Sequence, residues 1–562
     1  MRLRRPISEM RRLLQVATII FDFAIDIFIS RMYRTRGLRP RPLWKRLLAF
    51  LLRWIFRRGK GTRSFAVELR LTLERLGPTY IKLGQILSLR EDILPESITR
   101  ELRKLQSDVP PFPFVEVKRV IENEFNLPLS MIFSKFEEEP IAAASLAQAH
   151  VAWLRDGTKA VVKVQRPGIV PIIMNDLSII KKIAALLMYI PFIRDFRPDR
   201  FAEEFANYTM RELDFRQEGK HADIFRRNFQ GFDKLIVPKI YWEYTSTKVL
   251  TMEFIEGVKP DDTEKLRRLG VNGYEMAKLG ADIVIKQLFI DGFFHGDPHP
   301  GNLFVVGNDR FGMIDLGMIG SFTRQTKRAM FLYYYHLIIQ DFETSAKYMV
   351  GLTEPTPNAD IKGFMKEIVE IGKNWYGAGF KQYSLGRLIL DALNQGATYK
   401  LYFNNDVVLA IKAIVTIEAV AHILHPGVDL AEISRPMMTR IFLEQFSPWR
   451  AIQALLRALP DYVEFQDEAP RKLLKAIDMF SSGKLQVEVT EAPKQEGKNH
   501  LKSPLFYFSL ASFFTGIFFS ISPYTPGPVI TSLPGLMGIP ILTLLMFLLS
   551  FAGFFWQLWR MR

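Results

Sequence analysis

Cysteine is absent from the 562 residues, and only eight histidines are present. The first absence excludes thiolate zinc sites, cysteine-ligated iron–sulfur clusters, cysteine nucleophiles and disulfide stapling, and it fits a reducing compartment. Histidine, with no carboxylate–histidine spacing, leaves little for a zinc centre, and His336, His422 and His425 read as packing residues of helices. Charge is missing in one place: residues 503–559 contain no Asp, Glu, Lys, Arg or His. Acidic residues are scarce in another: residues 1–63 hold seventeen Lys and Arg against three Asp and Glu, whereas the rest of the chain supplies only +2 of the net +16. A nucleic-acid binder spreads basic charge over its folded body. A basic arm joined to an apolar tail points instead to an anionic lipid surface and to no nucleic acid.

As one helix the uncharged tail would be roughly 85 Å long, against a hydrocarbon core of about 30 Å, so it must be broken. Pro523-Tyr524-Thr525-Pro526-Gly527-Pro528 supplies the break. The expectation is a transmembrane hairpin over 503–562, flanked by Lys498, Lys502, Arg560 and Arg562, with an uncharged connecting turn. The positive-inside rule then puts both ends and the body in the cytoplasm. Residues 13–29 are apolar but interrupted by Asp22 and Asp26, which favours a helix lying on the membrane surface over a third span.

Between these ends the pattern suggests a basic amphipathic segment (1–63), a helical extension (64–135), a small mixed lobe (136–258), a large helical lobe (259–483) and a polar linker (484–502). Short β-type runs at 149–154, 159–165 and 248–254 precede a mostly helical stretch interrupted at 303–306 and 312–315. This is the order of an α+β, protein-kinase-like bilobal fold.

The most specific signal is His295-Gly296-Asp297-Pro298-His299-Pro300-Gly301-Asn302, followed by an apolar run and Met313-Ile314-Asp315-Leu316-Gly317. Phosphoryl transfer needs a carboxylate beside the attacking oxygen, and an amide oxygen with a second carboxylate on magnesium. Asp297, Asn302 and Asp315 form that set: Asp297 to position the oxygen, Asn302 and Asp315 to hold Mg²⁺. Lys163, in the run 159–164, is the expected phosphate-binding lysine. Its partner should come from Glu212-Leu213-Asp214-Phe215-Arg216-Gln217-Glu218, with Glu218 preferred. Glu253 and Ile255, in Met252-Glu253-Phe254-Ile255-Glu256-Gly257, would form the hinge that meets adenine through its backbone.

Two features depart from an ordinary protein kinase. Ala142-Ala143-Ala144-Ser145 stands where a glycine-rich phosphate loop is expected, and alanine does not readily take the positive φ angles glycine uses there. No Ala-Pro-Glu follows Asp315 to dock a peptide.

Lys82-Leu83-Gly84-Gln85, the AAAS loop, VVKVQRPG around Lys163, ELDFRQE and HGDPHPGN with Asp315 together resemble the UbiB family of atypical kinase-like ATPases, whose mitochondrial relatives support coenzyme Q synthesis. The resemblance spans about 71–320. It implies that the helix bearing Lys82 and Gln85 covers the active site, held in part by Glu212 and Asp214. Lys82 and Gln85 are three apart, on one helix face. Leu316 stands where typical kinases have Phe. The hairpin resembles that of bacterial members, and the resemblance implies a membrane-anchored ATPase or atypical kinase, at the cytoplasmic face of a bacterial inner membrane, using ATP or ADP with Mg²⁺ in support of quinone biosynthesis. Its expected partners are anionic lipids, quinone or isoprenoid-lipid precursors and enzymes of that synthesis, with a homodimer left open. A small-molecule phosphotransferase and a non-catalytic nucleotide-binding scaffold are the alternatives.

Overall fold

A computed structural model of the chain describes residues 11–20, 22–23 and, apart from short gaps at 89, 91–93, 106–109, 190–193, 195–196, 357 and 379–383, residues 64–445. The expected hairpin and the polar linker lie outside the described residues. Internal contacts divide the chain into two compact units, and every feature below belongs to the one that holds residues up to Ser434. Of the unit that begins at Arg435, only 435–445, which are helical, are described.

Ser64 caps α1 (Phe65–Leu76) by accepting the Val67 amide. Gly77 ends that helix, and Pro78 opens α2 (Pro78–Leu87), where its missing N–H costs nothing. α3 (Glu96–Leu102) follows. A β-carbon on Gly84 of α2 would lie 2.3 Å from Leu105 Cδ1 and 2.8 Å from Leu73 Cδ1, so any larger residue would push these leucines aside. α4 (Phe114–Phe125) buries Val117 and Ile121.

β1 (Lys135–Phe136), β2 (Ala142–Ala143), β3 (Ala147–Trp153) and β4 (Lys159–Gln165) begin an antiparallel sheet. Three helices come next, α5 (Ile169–Leu187), α6 (Pro198–Glu212) and α7 (Phe215–Asn228). β5 (Leu235–Ile236) joins a second sheet, and β6 (Val249–Glu253) returns to complete the order β1-β3-β4-β6, with β2 also on β3. Buried Ala160, Val162 and Val164 of β4 and Val249 of β6 pack on α4. α4 thus covers one face of the small lobe's sheet.

The larger lobe starts with α8 (Gly273–Ile285). Two ribbons follow: β7 (Phe293–His295) pairs with β10 (Ile319–Ser321), and β8 (Leu303–Val306) pairs with β9 (Arg310–Met313) beside β5. Helices α9 (Arg324–Ile338) and α10 (Phe342–Val350), strand β11 (Thr353–Pro355), helices α11 (Ile361–Ala378) and α12 (Leu385–Thr398), strand β12 (Leu401–Phe403) and helix α13 (Asn405–Leu424) complete it. Among the described residues α13 is the one helix long and apolar enough to cross a membrane, with mean hydropathy 2.1. Ile417 of α13 packs on Gly280 of α8, and 56% of the apolar stretch is buried, as in the core helix of a folded lobe.

The N-terminal segment departs from expectation where it is described. Residues 11–20 are helical, and Leu13, Val16, Ile19 and Ile20 pack on a cluster shared by α1, α2, α5 and α6. Asp176 of α5 is fully buried, and Arg12 meets it at 2.7 and 3.0 Å while donating to the Leu76 carbonyl. A buried carboxylate needs such a partner. The apolar face of this stretch is thus turned to protein, not to a lipid surface.

Candidate active site

β4 lies between β3 and β6, with Lys163 opposite Ala149 and Leu250. A lysine on a central strand cannot act as a solvated edge charge. Its ammonium meets Glu218 at 2.8 and 3.0 Å and lies 3.7 Å from Asp315 Oδ1. Glu218 sits in the first turn of α7, where a carboxylate also suits the helix dipole. Burial pulls the Lys163 ammonium down, but Asp315 and Glu218 outweigh it and hold the group above its ordinary value. Burial pushes the Glu218 carboxyl up against the pull of Lys163, and the nearby Asp315 adds to the rise.

Asp315 follows β9 by two residues and takes a left-handed backbone, φ 55°, sparsely populated outside glycine. Lys163 holds its carboxyl below the usual range. The side chain remains 53% exposed, so solvent weakens that hold. Gly317 donates its amide to Asp315 Oδ1 at 3.4 Å. A β-carbon built on Gly317 would lie 3.3 Å from Asp315 Oδ1 and 3.9 Å from Glu212 Oε1, so the two carboxylates face one small space. The next residue, Leu316, is buried, and its carbonyl accepts from Nδ1 of His221, one turn beyond Glu218 on α7. That bond pins the turn beneath Asp315.

The 295–302 loop is cross-braced from within. Asp297 N–H donates to His295 Nδ1 at 3.0 Å, and Asn302 Nδ2 donates to the Asp297 carbonyl at 3.2 Å. His295 is buried, and desolvation pushes its pKa down to about 4, so the ring is neutral and Nδ1 stays an acceptor. Asn302 and Asp315 come together through β8 and β9: the Ile314 amide donates to the Asn302 carbonyl, and Leu303 pairs with Met313. The Asp297 carboxylate meets Lys412 of α13 at 2.9 Å.

Lys82 of α2 pairs with Glu212 at the end of α6. The Tyr208 hydroxyl donates to the same Glu212 oxygen at 2.8 Å, and the ring lies 5.1 Å from the Lys82 ammonium. Asp214 does not join that contact. It caps α7 through the Arg216 amide and pairs with the Arg216 side chain at 2.8 Å, since a capping aspartate two residues from an arginine has its partners locally. Gln85 donates to the Leu105 carbonyl at 3.2 Å, tying α2 to the segment after α3.

Ala142–Ala143 pairs with β3 at Ala149 and Gln148, and the Ala144 amide closes the turn by donating to the Ala147 carbonyl at 2.7 Å. The turn from Ala142 to Ala147, Ser145 included, has no positive φ. Arg166 clamps it, donating its amide to Leu146 and its guanidinium to Ala144. At the other end of the sheet Glu253 closes β6 and accepts the Lys239 amide. Ile255 packs at Gly312 of β9, so this connector rests on the large lobe.

Among the described residues no three His, Asp or Glu side chains gather as a metal-binding group. Magnesium needs no such group, since it takes one or two protein oxygens and completes its octahedron with phosphates and water. The residues fit it: Asp315 is ionised and open, Asn302 keeps Oδ1 while Nδ2 donates, and Glu212 Oε2 is buried without a partner beside them.

Lys412, Tyr208, His221 and His295 form contacts in this cluster that motif spacing did not assign. Lys412 had a signal of its own: it is the only Lys or Arg in the apolar α13, and a charge there must find a partner.

Two lobes, a strand lysine paired with a helix glutamate, and an Asp–Asn loop running into a second Asp define a kinase-like protein. The pattern of the ABC1 atypical kinase-like domain matches residues 104–349, and that of the UbiB helical domain matches 368–429. A probable protein kinase UbiB of Marinobacter nauticus is 31% identical over 483 residues, 85% of this chain and 87% of the relative. A probable protein kinase UbiB of Pseudomonas aeruginosa is 31% identical over 497 residues, covering 87% and 91%. A solved complex of Rv3197 with erythromycin, from Mycobacterium tuberculosis, is 22% identical with a TM-score of 0.45, covering 69% of this chain and 97% of that one. The chain belongs to the ABC1/UbiB family of atypical kinase-like proteins.

Proposed function

We propose that this chain is a membrane-anchored ATPase that binds ATP with Mg²⁺ and supports quinone biosynthesis. The observation that carries the reading is the Lys163 ammonium held on both oxygens of Glu218 with Asp315 3.7 Å away. A lysine so fixed presents its charge to the α- and β-phosphates. Asp315 and Asn302 would hold Mg²⁺, which when bound neutralises charge on the phosphate oxygens. Asp297, one oxygen on Lys412, has Oδ2 to orient a water. That water forms a bond to the γ-phosphorus as the bond to the β–γ bridging oxygen breaks; ADP leaves, and the water's proton passes to Asp297 and on to solvent.

Lys82 and Glu212 beside Asp315 take up space that a protein acceptor would need, which favours water or a small lipid-like acceptor. The link to quinones and to the cytoplasmic membrane face rests on the family resemblance and on the uncharged tail, whose hairpin belongs to this proposal. A scaffold reading is favoured by one observation, the closed alanine turn whose Ala144 amide is already spent on Ala147. Turnover of ATP by the full chain in detergent, compared with Asp315→Asn, tests the proposal. A fall of about 100-fold or more is expected. Unchanged turnover would contradict the metal assignment. Normal quinone levels in cells carrying only Asp297→Asn/Asp315→Asn would favour the scaffold.

A further inference from the structure

A cavity of about 480 Å³ lies away from the Lys163–Asp315 cluster, where the first turns of α6 meet the start of α13. Arg90, Arg194, Arg197 and Arg200 line it, together with Asn404 and Asn405. Among the described residues the acidic groups on its wall are Glu204 and Glu354. Arg200 takes both, at 3.1 and 2.6 Å, and Asp199 takes Arg197 at 3.2 Å. Arg90 is only 7% exposed and donates to Asn405 Oδ1 at 2.5 Å, with its guanidinium 5.9 Å from the Phe201 ring centre. Four guanidinium groups thus converge on one space, where Glu204 and Glu354 pair with Arg200 and Asp199 pairs with Arg197. Holding like charges together costs free energy that a bound anion would offset. A guanidinium fork fits phosphate oxygens with two parallel hydrogen bonds; Arg194 is exposed to receive them, and Arg197, also exposed, would exchange its fork on Asp199 for them.

The elements around this cavity also reach the Lys163–Asp315 cluster. Arg90 follows α2, which carries Lys82. Glu204 and Glu212 stand two turns apart on α6, as do Asn405 and Lys412 on α13. Asn405 donates to Glu204 across the cavity, joining the two helices there.

We propose that this cavity binds a phosphate monoester or diphosphate group, and that its occupancy is felt at α2. The ligand is either a soluble phosphate or the headgroup of an anionic lipid. The test uses the full chain in uncharged detergent, with saturating Mg-ADP to fill the nucleotide site, titrated calorimetrically with inorganic pyrophosphate. A second arm compares binding to phosphatidylglycerol and phosphatidylcholine vesicles.

A binding event is expected that survives Mg-ADP and Lys163→Met and weakens about tenfold or more in Arg194→Gln/Arg197→Gln. If the source is a lipid headgroup, the same variant loses affinity for phosphatidylglycerol but not for phosphatidylcholine. Amide exchange across 78–87 should change on saturation in the wild type and not in the arginine variant. Two results would overturn the proposal: no component of pyrophosphate or phosphatidylglycerol binding that depends on the two arginines, or exchange across 78–87 that does not respond. Binding is read without turnover, so failure of the ATPase reading would leave this result interpretable.

Discussion

The ammonium of Lys412 stands 2.9 Å from Oδ1 of Asp297 and joins the large lobe's apolar core helix to the HGDPHPGN loop. A helix that is largely buried in the lobe thereby contributes a charge to the proposed phosphoryl-transfer site. Both side chains are about a quarter exposed, so the pair acts more through orientation than through raw Coulomb energy.

Lys412→Met should therefore lower ATP turnover about tenfold while leaving ATP affinity within about twofold, and Lys412→Arg should restore most of it. Steady-state kinetics beside equilibrium nucleotide binding separates the two effects. A loss confined to affinity would move Lys412 from positioning Asp297 to holding the nucleotide.

Lys82→Met leaves Glu212 buried with an uncompensated charge, and a destabilisation of about 2–3 kcal/mol is expected. Lys82→Met/Glu212→Gln should recover more than half of it, because the second change removes the stranded charge. Urea unfolding of the three variants gives the cycle, and purely additive losses would mean that the pair is not coupled.

His295 ties stability to pH. Its folded pKa of about 4 lies below the ordinary 6.5, so the unfolded chain takes up a proton that the folded chain refuses. The stabilisation is fully present above pH 6.5 and is lost as pH falls toward 4, by roughly 3 kcal/mol from this residue. His150 and His221, also pushed down by burial, add in the same direction. His295→Gln keeps an acceptor for the Asp297 amide and removes the titration, so its unfolding free energy between pH 7 and 4 should fall less steeply than that of the wild type. Parallel slopes would remove His295 from the account.

Ala144→Gly frees the turn that Ala144 and Ala147 close and gives its backbone access to positive φ. The ratio of ATP to ADP affinity should change as a result, measured by calorimetry with each nucleotide. Identical isotherms before and after would show that this turn does not meet phosphate.

Much of the site was legible because its parts are local. Asp297 and Asn302 are five residues apart, and Asp315 follows a short hairpin, so spacing alone brings them near one another. Lys163 and Glu218 are 55 residues apart, yet a strand and a helix start have few ways to meet. Long-range choices were not legible. Asp214 stands two residues from the Lys82 partner Glu212, but a local cap and Arg216 claim it. The stretch 13–20 has the pattern of a membrane-surface helix, and only the buried Asp176, 164 residues from Arg12, shows where that face goes. Lys412, the lone Lys or Arg of a helix whose composition reads as core, signals that it needs a partner, but nothing in the sequence names Asp297, 115 residues away, as that partner.

The claim that Asp315 and Asn302 hold a divalent cation on a nucleotide is tested most directly with Mn²⁺ in place of Mg²⁺, followed by electron paramagnetic resonance on the full chain with saturating ADP. The account predicts nucleotide-dependent Mn²⁺ binding in the wild type that Asp315→Asn weakens by about tenfold or more. Equal Mn²⁺ binding by the wild type and Asp315→Asn would contradict it.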